Sequence, residues 1–329
     1  IYAYENGSVG AIWMIAEETT NWTDRGTGYN YYDGTAWGPA PTTRIESLKT
    51  GFPSYAPYGP AGEIIVSHYL PGSEDGVLLF HKRETAGSGD WESFTLEGPE
   101  AGFSIYTPAL VTNGEDNMTL HVLASVWPEY MGMDGTVLYS RSTDGGENWD
   151  IFHHFFDELD GDVFSGLGGD VFTWAQPRGD TIAFSVGFEQ ENGYIMKSYD
   201  NGDNWERIDV YENPYSPYTG GVIPPFCAGD CSHALALDSD GNCHLVFGRM
   251  IYRYDEEGDI WWYSETEGIV YWNESMETLD TTILSTYTLE HLIAGGKLIG
   301  LTIPYEGDSS ILDVARYHYN GRTTNPQIN

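Results

Sequence analysis

The sequence predicts an all-β fold built from one repeated antiparallel unit. Tryptophans recur at similar intervals, at Trp37, Trp91, Trp149, Trp205 and Trp272. The residues between them form β-branched and aromatic runs separated by Gly, Asn and Asp turns, without a long stretch of helical period. Each interval holds about four short strand-like runs, the signature of a repeat architecture. Six such units fit the 329 residues and predict a six-bladed β-propeller of four-stranded antiparallel blades.

The repeat is most regular in two octets, STDGGENW at 142–149 and SYDNGDNW at 198–205. In each octet an Asp is placed to accept backbone hydrogen bonds in an Asx-type turn, and a Gly supplies a positive φ. A Trp then begins the return strand and buries its ring under the turn. The octets therefore predict structural hairpin turns made by Ser142, Asp144, Gly146, Trp149, Ser198, Asp200, Gly202 and Trp205.

The shared pattern S-x-D-x-G-x-x-W resembles the Asp-box, or bacterial neuraminidase repeat, of sialidase-like β-propellers. The resemblance implies a propeller with Asp-box turns and a likeness to secreted bacterial propeller proteins. It implies no activity, because function belongs to a site and not to a fold. The F/Y-R-I-P motif of sialidases is absent from the sequence, and the nearest string, TRIES at Arg44, follows a degenerate copy of the box.

The repeats indicate one propeller domain over residues 1–329, with blades at 1–48, 49–99, 100–157, 158–212, 213–284 and 285–329. No run approaches the roughly 18 apolar residues of a membrane span, so none is predicted. The chain begins directly in a strand-like run, IYAYE, as expected of a mature secreted protein. We therefore expect a secreted, extracellular protein, either free or associated with a cell surface.

The charge is strongly acidic, with 50 Asp and Glu against 14 Lys and Arg and a net charge of −36. Nucleic acid is excluded as a partner because its binding requires cations that neutralise phosphates. Polyanionic glycans and anionic membranes are disfavoured for the same reason. The carboxylates either solvate the surface in salty surroundings or bind Ca²⁺, a cation that takes oxygen ligands. The loop at 157–170 predicts a calcium site made by Asp157, Asp160, Asp162 and Asp170.

Three cysteines lie close together in the sequence. The string CAGDC predicts a disulfide between Cys227 and Cys231, which leaves Cys243 as a buried thiol in a strand. Pairing of Cys231 with Cys243 and a set of three thiols remain as alternatives.

Long aromatic and acidic connections are predicted on one face of the propeller, at 17–27, 127–135, 157–169, 211–230 and 252–268. Loops of this length on a rigid scaffold usually carry function. Their rings either provide platforms for sugars or fold inward over the central channel. The predicted ligand-binding residues are Trp22, Trp127, Tyr130, Tyr218, Trp261 and Trp262.

These features predict a non-catalytic extracellular unit that binds glycans or assembles with other copies. Self-association is expected through the termini and the blade-six edge at 313–319, because the short tail at 322–329 offers that edge few ladder bonds. The alternative is a glycosidase or polysaccharide lyase with its site on the long-loop face. Glycosidase chemistry needs two carboxylates at a suitable separation, and the candidates are Asp162, Asp170 and Asp255.

Overall fold

The computed structural model describes residues 1–70, 75–169, 171–281 and 298–301. These residues have an all-β fold of sheets with three to five strands, connected in places by two short 3-10 helices, Glu115–Asn117 and Asp157–Leu159. The chain divides into two compact units: Ile1–Asp160 with Gly166–Gly169, and Gly161–Ser165 with the residues after Gly169. Within the described ranges, no helix is long and apolar enough to cross a membrane.

The first unit contains three sheets in which each strand pairs antiparallel with its sequence neighbour. The first sheet comprises β1 (Tyr2–Ala3), β2 (Val9–Ile15) and β3 (Gly26–Tyr32). The second comprises β4 (Thr50–Tyr58), β5 (Gly62–Tyr69), β6 (Val77–Arg83) and β7 (Glu92–Leu96). The third comprises β8 (Ser104–Asn113), β9 (Thr119–Trp127), β10 (Val137–Ser142) and β11 (Ile151–Phe155).

The core of the first unit lies where its second and third sheets meet. β8 packs against β4, β5 and β6 of the preceding sheet. In β5 every residue from Gly62 to His68 is buried, which explains why this strand reads as a continuous run and does not alternate. Apolar side chains from both sheets form one cluster that includes Ile64, Val66, Phe80, Leu110, Val122 and Leu138.

The second unit contains two sheets. The first comprises β12 (Phe172–Trp174), β13 (Ile182–Gly187), β14 (Gly193–Ser198) and β15 (Glu206–Glu212), and β19 (Leu279–Asp280) adds to β15 in parallel. The second comprises β16 (Ile223–Leu237), β17 (Cys243–Tyr254), β18 (Ile260–Asn273) and β20 (Leu298–Leu301). β16 packs against β12 and β13, and apolar residues of both sheets share one core.

Two of the five sheets differ in strand number from the predicted four-stranded blade, and a third takes its fourth strand from another predicted blade. The first sheet has three strands, because Pro39 and Pro41 follow Trp37 and cannot donate ladder hydrogen bonds. The sheet of β12–β15 has a fifth strand, β19. The sheet of β16–β18 takes β20 as its fourth strand, although the predicted boundaries place residues 298–301 in blade six.

Two predicted loops contain long strand segments. The connections at 211–230 and 252–268 contribute to β16, β17 and β18. β17 pairs with β18 from His244 opposite Asn273 to Tyr254 opposite Ile260. Acidic and glycine residues suggested loops there, but β-branched and aromatic residues favour extended pairing. The acidic string at 255–259 is only the turn of this long hairpin.

The remaining residues of predicted blade six lie outside the described part of the chain. They include the edge at 313–319 and the tail at 322–329, through which self-association is predicted. Self-association therefore stays a prediction.

Candidate functional site

The first octet forms a closed hydrogen-bonded turn. Ser142 Oγ donates to Asp144 Oδ1 over 2.9 Å and accepts from the Gly146 amide over 2.8 Å. Asn148 donates to Asp144 twice over 2.8 Å, from its backbone N–H to Oδ1 and from its side chain to Oδ2. These hydrogen bonds, with that of the Asn148 side chain first, lower the pKa of Asp144. Its carboxylate thus holds the turn.

The second octet repeats this pattern. Asp200 accepts from Ser198 Oγ and from both nitrogens of Asn204 over 2.7–2.8 Å, and the Asn204 side chain contributes most to lowering the pKa of Asp200 to about 2. A third turn at 238–242 shares the two hydrogen bonds from Asn to Asp: Asn242 donates to Asp238 from its backbone over 2.8 Å and from its side chain over 3.0 Å. The common sequence signal is D-x-x-x-N.

The five repeat tryptophans differ in burial. Trp272 is only 2% exposed, and Trp149 and Trp205 pack against phenylalanine rings of their own units. Trp37, by contrast, is 51% exposed. The repeat therefore keeps its Trp under a turn in most copies and leaves that of the first copy in solvent.

The predicted disulfide between Cys227 and Cys231 is wrong, because all three cysteines are thiols. Both residues lie on β16, which pairs with β17 and has a register irregularity between Gly229 and His233. Cys227 is buried and accepts a hydrogen bond from Arg249 Nη1 over 3.3 Å. Burial raises the pKa of the Cys227 thiol.

The acidic residues predicted to bind calcium are not gathered into a described metal site. Asp157 begins a 3-10 helix and Asp160 follows it in the first unit, whereas Asp162 belongs to the second unit. Asp170 lies outside the described residues. Across the described ranges, no three His, Cys, Asp or Glu side chains are grouped so as to hold a metal ion. Because one of the four predicted ligands lies outside the described residues, the calcium site at 157–170 stays a prediction.

Asp255, predicted as a weak catalytic candidate, caps the turn between β17 and β18. It accepts hydrogen bonds from Trp261 Nε1 over 2.5 Å and from the amides of Asp259 and Glu257 over 2.9 and 3.1 Å. These bonds, with that of Trp261 first, lower the pKa of Asp255. The carboxylate serves the turn in the same way as Asp144 does.

The predicted ligand-binding aromatics are divided between the units. In the first unit, Trp22 and Trp127 are 52% and 58% exposed. Tyr130 instead packs edge-on against Phe103, with ring centroids 5.1 Å apart, and borders the core. Two of these three residues therefore present rings to solvent.

In the second unit, Tyr218 stacks on Tyr254 with ring centroids 3.9 Å apart. Trp261 and Trp262 lie next to each other on β18 and are 51% and 41% exposed. Arg253 covers the Trp261 ring, with its guanidinium carbon 5.5 Å from the ring centroid. Tyr218 is thus a packing residue, and the Trp261 ring is already in contact with a cation.

Ser185 and His233 form a pair of the type used in nucleophilic catalysis, with Oγ and Nδ1 2.7 Å apart. Ser185 is fully buried, however, and exposes no surface to solvent. Burial lowers the pKa of His233 to about 4. We interpret the pair as a buried polar contact that both partners satisfy.

The second unit contains a groove of roughly 720 Å³, which we call the unit-two groove. It is lined by rings, prolines, amides and carboxylates: Asn192, Tyr194, Glu212, Asn213, Pro214, Tyr215, Pro225, Phe226, Asp280 and Thr281. The lining comes from the ends of β14 and β15, the start of β16, and β19. The parallel pairing of β15 with β19 places Glu212 beside Asp280.

The groove has a fixed aromatic side. Phe226 and Asn213 are 2% and 3% exposed, and Tyr215 packs edge-to-face on Phe226 at 5.1 Å between ring centroids. The Asn213 side chain is held at both ends, since its Oδ1 accepts from the Tyr215 amide over 3.1 Å and its Nδ2 donates to the Gln190 carbonyl over 2.5 Å. The Tyr215 ring is therefore held in place and offers a preformed apolar surface beside the polar groups of the lining.

Other residues of the lining carry charge. Glu212 and Asp280 are exposed to solvent, and each can accept hydrogen bonds. Tyr194 is buried beneath the guanidinium of Arg207, whose central carbon lies 4.4 Å from the ring centroid. Burial raises the pKa of Tyr194 to about 12, so its hydroxyl stays a neutral donor and acceptor at physiological pH.

The sequence pattern did not predict Tyr194, Glu212, Asn213, Phe226 or Asp280 as site residues. β19 lies far along the chain from β15, and a two-residue strand leaves no periodic signal. The string NPYSPY at 213–218, rich in tyrosine and proline, was the available signal for the nearby rim.

No family model matches the chain, and no curated protein matches it. Among solved structures it is similar to a sialidase from Trypanosoma rangeli in complex with 2,3-difluoro-KDN, with a TM-score of 0.44 and 11% identity over 79% of this chain and 46% of that one. It is also similar to a protein of unknown function from Dyadobacter fermentans, with a TM-score of 0.44 and 14% identity over 78% of each chain. It is similar as well to a mutant Aleuria aurantia lectin in complex with α-methyl-L-fucoside, with a TM-score of 0.43 and 11% identity over 78% of this chain and 76% of that one. The chain spans less than half the length of the sialidase.

Proposed function

We propose that the chain is an extracellular, non-catalytic β-propeller that binds neutral glycans in the unit-two groove. One observation carries the proposal: this groove combines the ring of Tyr215, which packs on the buried Phe226, with the exposed carboxylates of Glu212 and Asp280. Sugar rings present apolar C–H faces and many hydroxyls. Aromatic rings cover the former, and carboxylates accept hydrogen bonds from the latter.

The charge of the protein selects among glycans. A net charge of −36 repels uronic acids, sulfated sugars and sialic acids, and the two exposed carboxylates strengthen this locally. The ligand is therefore a neutral saccharide, with at least one ring that stacks on Tyr215.

The same proposal includes three further features: six blades, binding of Ca²⁺, and self-association through the termini and the blade-six edge. The meander sheets support the propeller, because within each unit a sheet packs through its first strand on the preceding sheet, as β8 and β16 do. The density of carboxylates in the sequence supports calcium.

The test is binding of neutral oligosaccharides measured by calorimetry, with Tyr215→Ala as the diagnostic variant. We expect the variant to weaken binding by roughly tenfold or more, since a ring at the centre of a binding site is a typical hot spot. Tyr199→Ala is the matched control, because Tyr199 is a 57% exposed tyrosine of the same unit that does not line the groove. Equal affinity of Tyr215→Ala and wild type would refute the proposal.

A further inference from the structure

A second groove, of roughly 380 Å³, lies in the first unit beside Trp37, and we call it the Trp37 groove. Three of its lining residues are aromatic, Tyr29, Tyr31 and Trp37, and Asn30 and Asp33 add polar groups. None of these residues lines the unit-two groove.

The turn at 33–37 has a capping carboxylate, Asp33, but lacks the asparagine that donates to this carboxylate in the turns at 144–148, 200–204 and 238–242. In those turns the Asn four residues after the Asp donates its side-chain amide to Oδ2, as Asn148 does to Asp144. Here the residue four positions after Asp33 is Trp37. The described hydrogen bonds from Thr35 and Ala36 all go to Asp33 Oδ1, over 2.6–2.8 Å. Oδ2 of Asp33 therefore lacks the amide that its counterparts have.

The residues that follow Trp37 explain why its side chain is exposed. In the second and third sheets a fourth strand follows the repeat Trp directly, whereas Pro39 and Pro41 prevent such a strand after Trp37. Trp37 makes only an isolated bridge to Tyr32, with the ring centroids 5.5 Å apart, and remains 51% exposed. An exposed indole beside a groove is a surface that a ligand ring can cover.

The remaining rings are held rigidly. The Tyr31 hydroxyl donates to Ser8 Oγ over 2.7 Å, and its ring lies against Gly87, where a Cβ would come within 2.4 Å of it. The Tyr29 ring is covered by Arg83, whose guanidinium carbon lies 4.8 Å from the ring centroid. The groove is thus preorganised on the side opposite the solvent.

We propose that the Trp37 groove is a second binding site for a neutral sugar ring. The ring stacks on Trp37, and one of its hydroxyls donates to Asp33 Oδ2 in the place of the missing asparagine amide. An anionic ligand is disfavoured because Asp33 repels it. The proposal extends glycan binding to a second site, and neither site depends on the residues of the other.

The test is NMR titration with methyl glycosides of glucose, galactose and mannose, followed at the Trp37 indole N–H where it is present and, in every variant, at the backbone amide of Gly38, which also lines the groove. Trp37→Asn is the decisive variant, because Asn at this position can cap Asp33 as Asn148 caps Asp144. We expect it to lose binding of the methyl glycosides by roughly tenfold or more, with a melting temperature no lower than that of the wild type. Trp37→Phe keeps a ring and is expected to bind within a few-fold of the wild type.

Two controls separate this site from others. Trp22→Ala removes an equally exposed tryptophan of the same unit, 52% exposed, that does not line the groove, and it is expected to leave the titration unchanged. Tyr215→Ala is also expected to leave the Trp37 signal responsive, so that failure of the unit-two groove does not mask this one. The proposal is overturned if Trp37→Asn binds the glycosides like the wild type, or if tetramethylammonium shifts the signal at lower concentration than every sugar does.

Discussion

Glu212 and Asp280 are register partners on the parallel strands β15 and β19, and both line the unit-two groove. Two neighbouring carboxylates can bind sugar hydroxyls, and glycosidases also use a carboxylate pair. The pair therefore discriminates between the binding function that we propose and the enzyme alternative.

The first prediction concerns this pair. Glu212→Gln and Asp280→Asn should each weaken glycan binding by about tenfold, since a hydrogen bond to a charged group contributes roughly 1.5–3 kcal/mol. The wild type should release no reducing sugar from the bound oligosaccharide. Measured hydrolysis that both variants abolish while retaining affinity would replace the binding function with a glycosidase.

The second prediction concerns the Asp-box turn. Asp144→Ala should lower the free energy of unfolding by about 1 kcal/mol, because it leaves the Ser142 hydroxyl and the Asn148 amide without their acceptor. Urea denaturation measures this change. Glu115→Ala, an exposed carboxylate of the same unit, is the control and should have little effect. A stability loss no larger than that of the control would show that the octet does not hold its hairpin.

The third prediction concerns acid stability. Burial lowers the pKa of His68 and of His233 to about 4, from the usual 6.5, so the unfolded chain binds more protons than the folded one between these values. The free energy of unfolding should therefore fall as the pH decreases from 6.5 to 4, by about 1.4 kcal/mol per pH unit for each histidine.

Urea denaturation at several pH values measures this slope. His68→Gln and His233→Gln should each make it shallower in that window, whereas His154→Gln, at an exposed histidine, should not. Identical slopes in all four proteins would contradict the prediction.

The fourth prediction concerns calcium. If the carboxylates bind Ca²⁺ in the folded state, the melting temperature should rise from chelator to millimolar Ca²⁺ by mass action. Sodium chloride at matched ionic strength controls for screening. Asp162→Asn should reduce the rise if the loop at 157–170 holds the ion. No difference between chelator and Ca²⁺ would leave solvation in salt as the explanation of the charge.

The local turn chemistry was predictable because it is encoded in neighbouring residues. The string from Ser142 to Asn148 contains every partner of Asp144. The groove residues were not predictable, since Glu212 meets Asp280 only through a two-residue parallel strand from a distant part of the chain. The disulfide failed for a related reason: CAGDC reads as a tight loop, but the residues extend along β16.

The return of the chain to β15 has a consequence for biosynthesis. Residues that emerge from a ribosome in order can complete β12–β15 early, but β19 must wait until the long hairpin of β17 and β18 has been made. The partner of Glu212 is therefore among the last described residues of the second unit to be translated. Such a non-local pairing forms slowly, because the loop that closes it is long. A nascent chain that ends before Leu279 would thus display a nearly finished sheet with no functional groove.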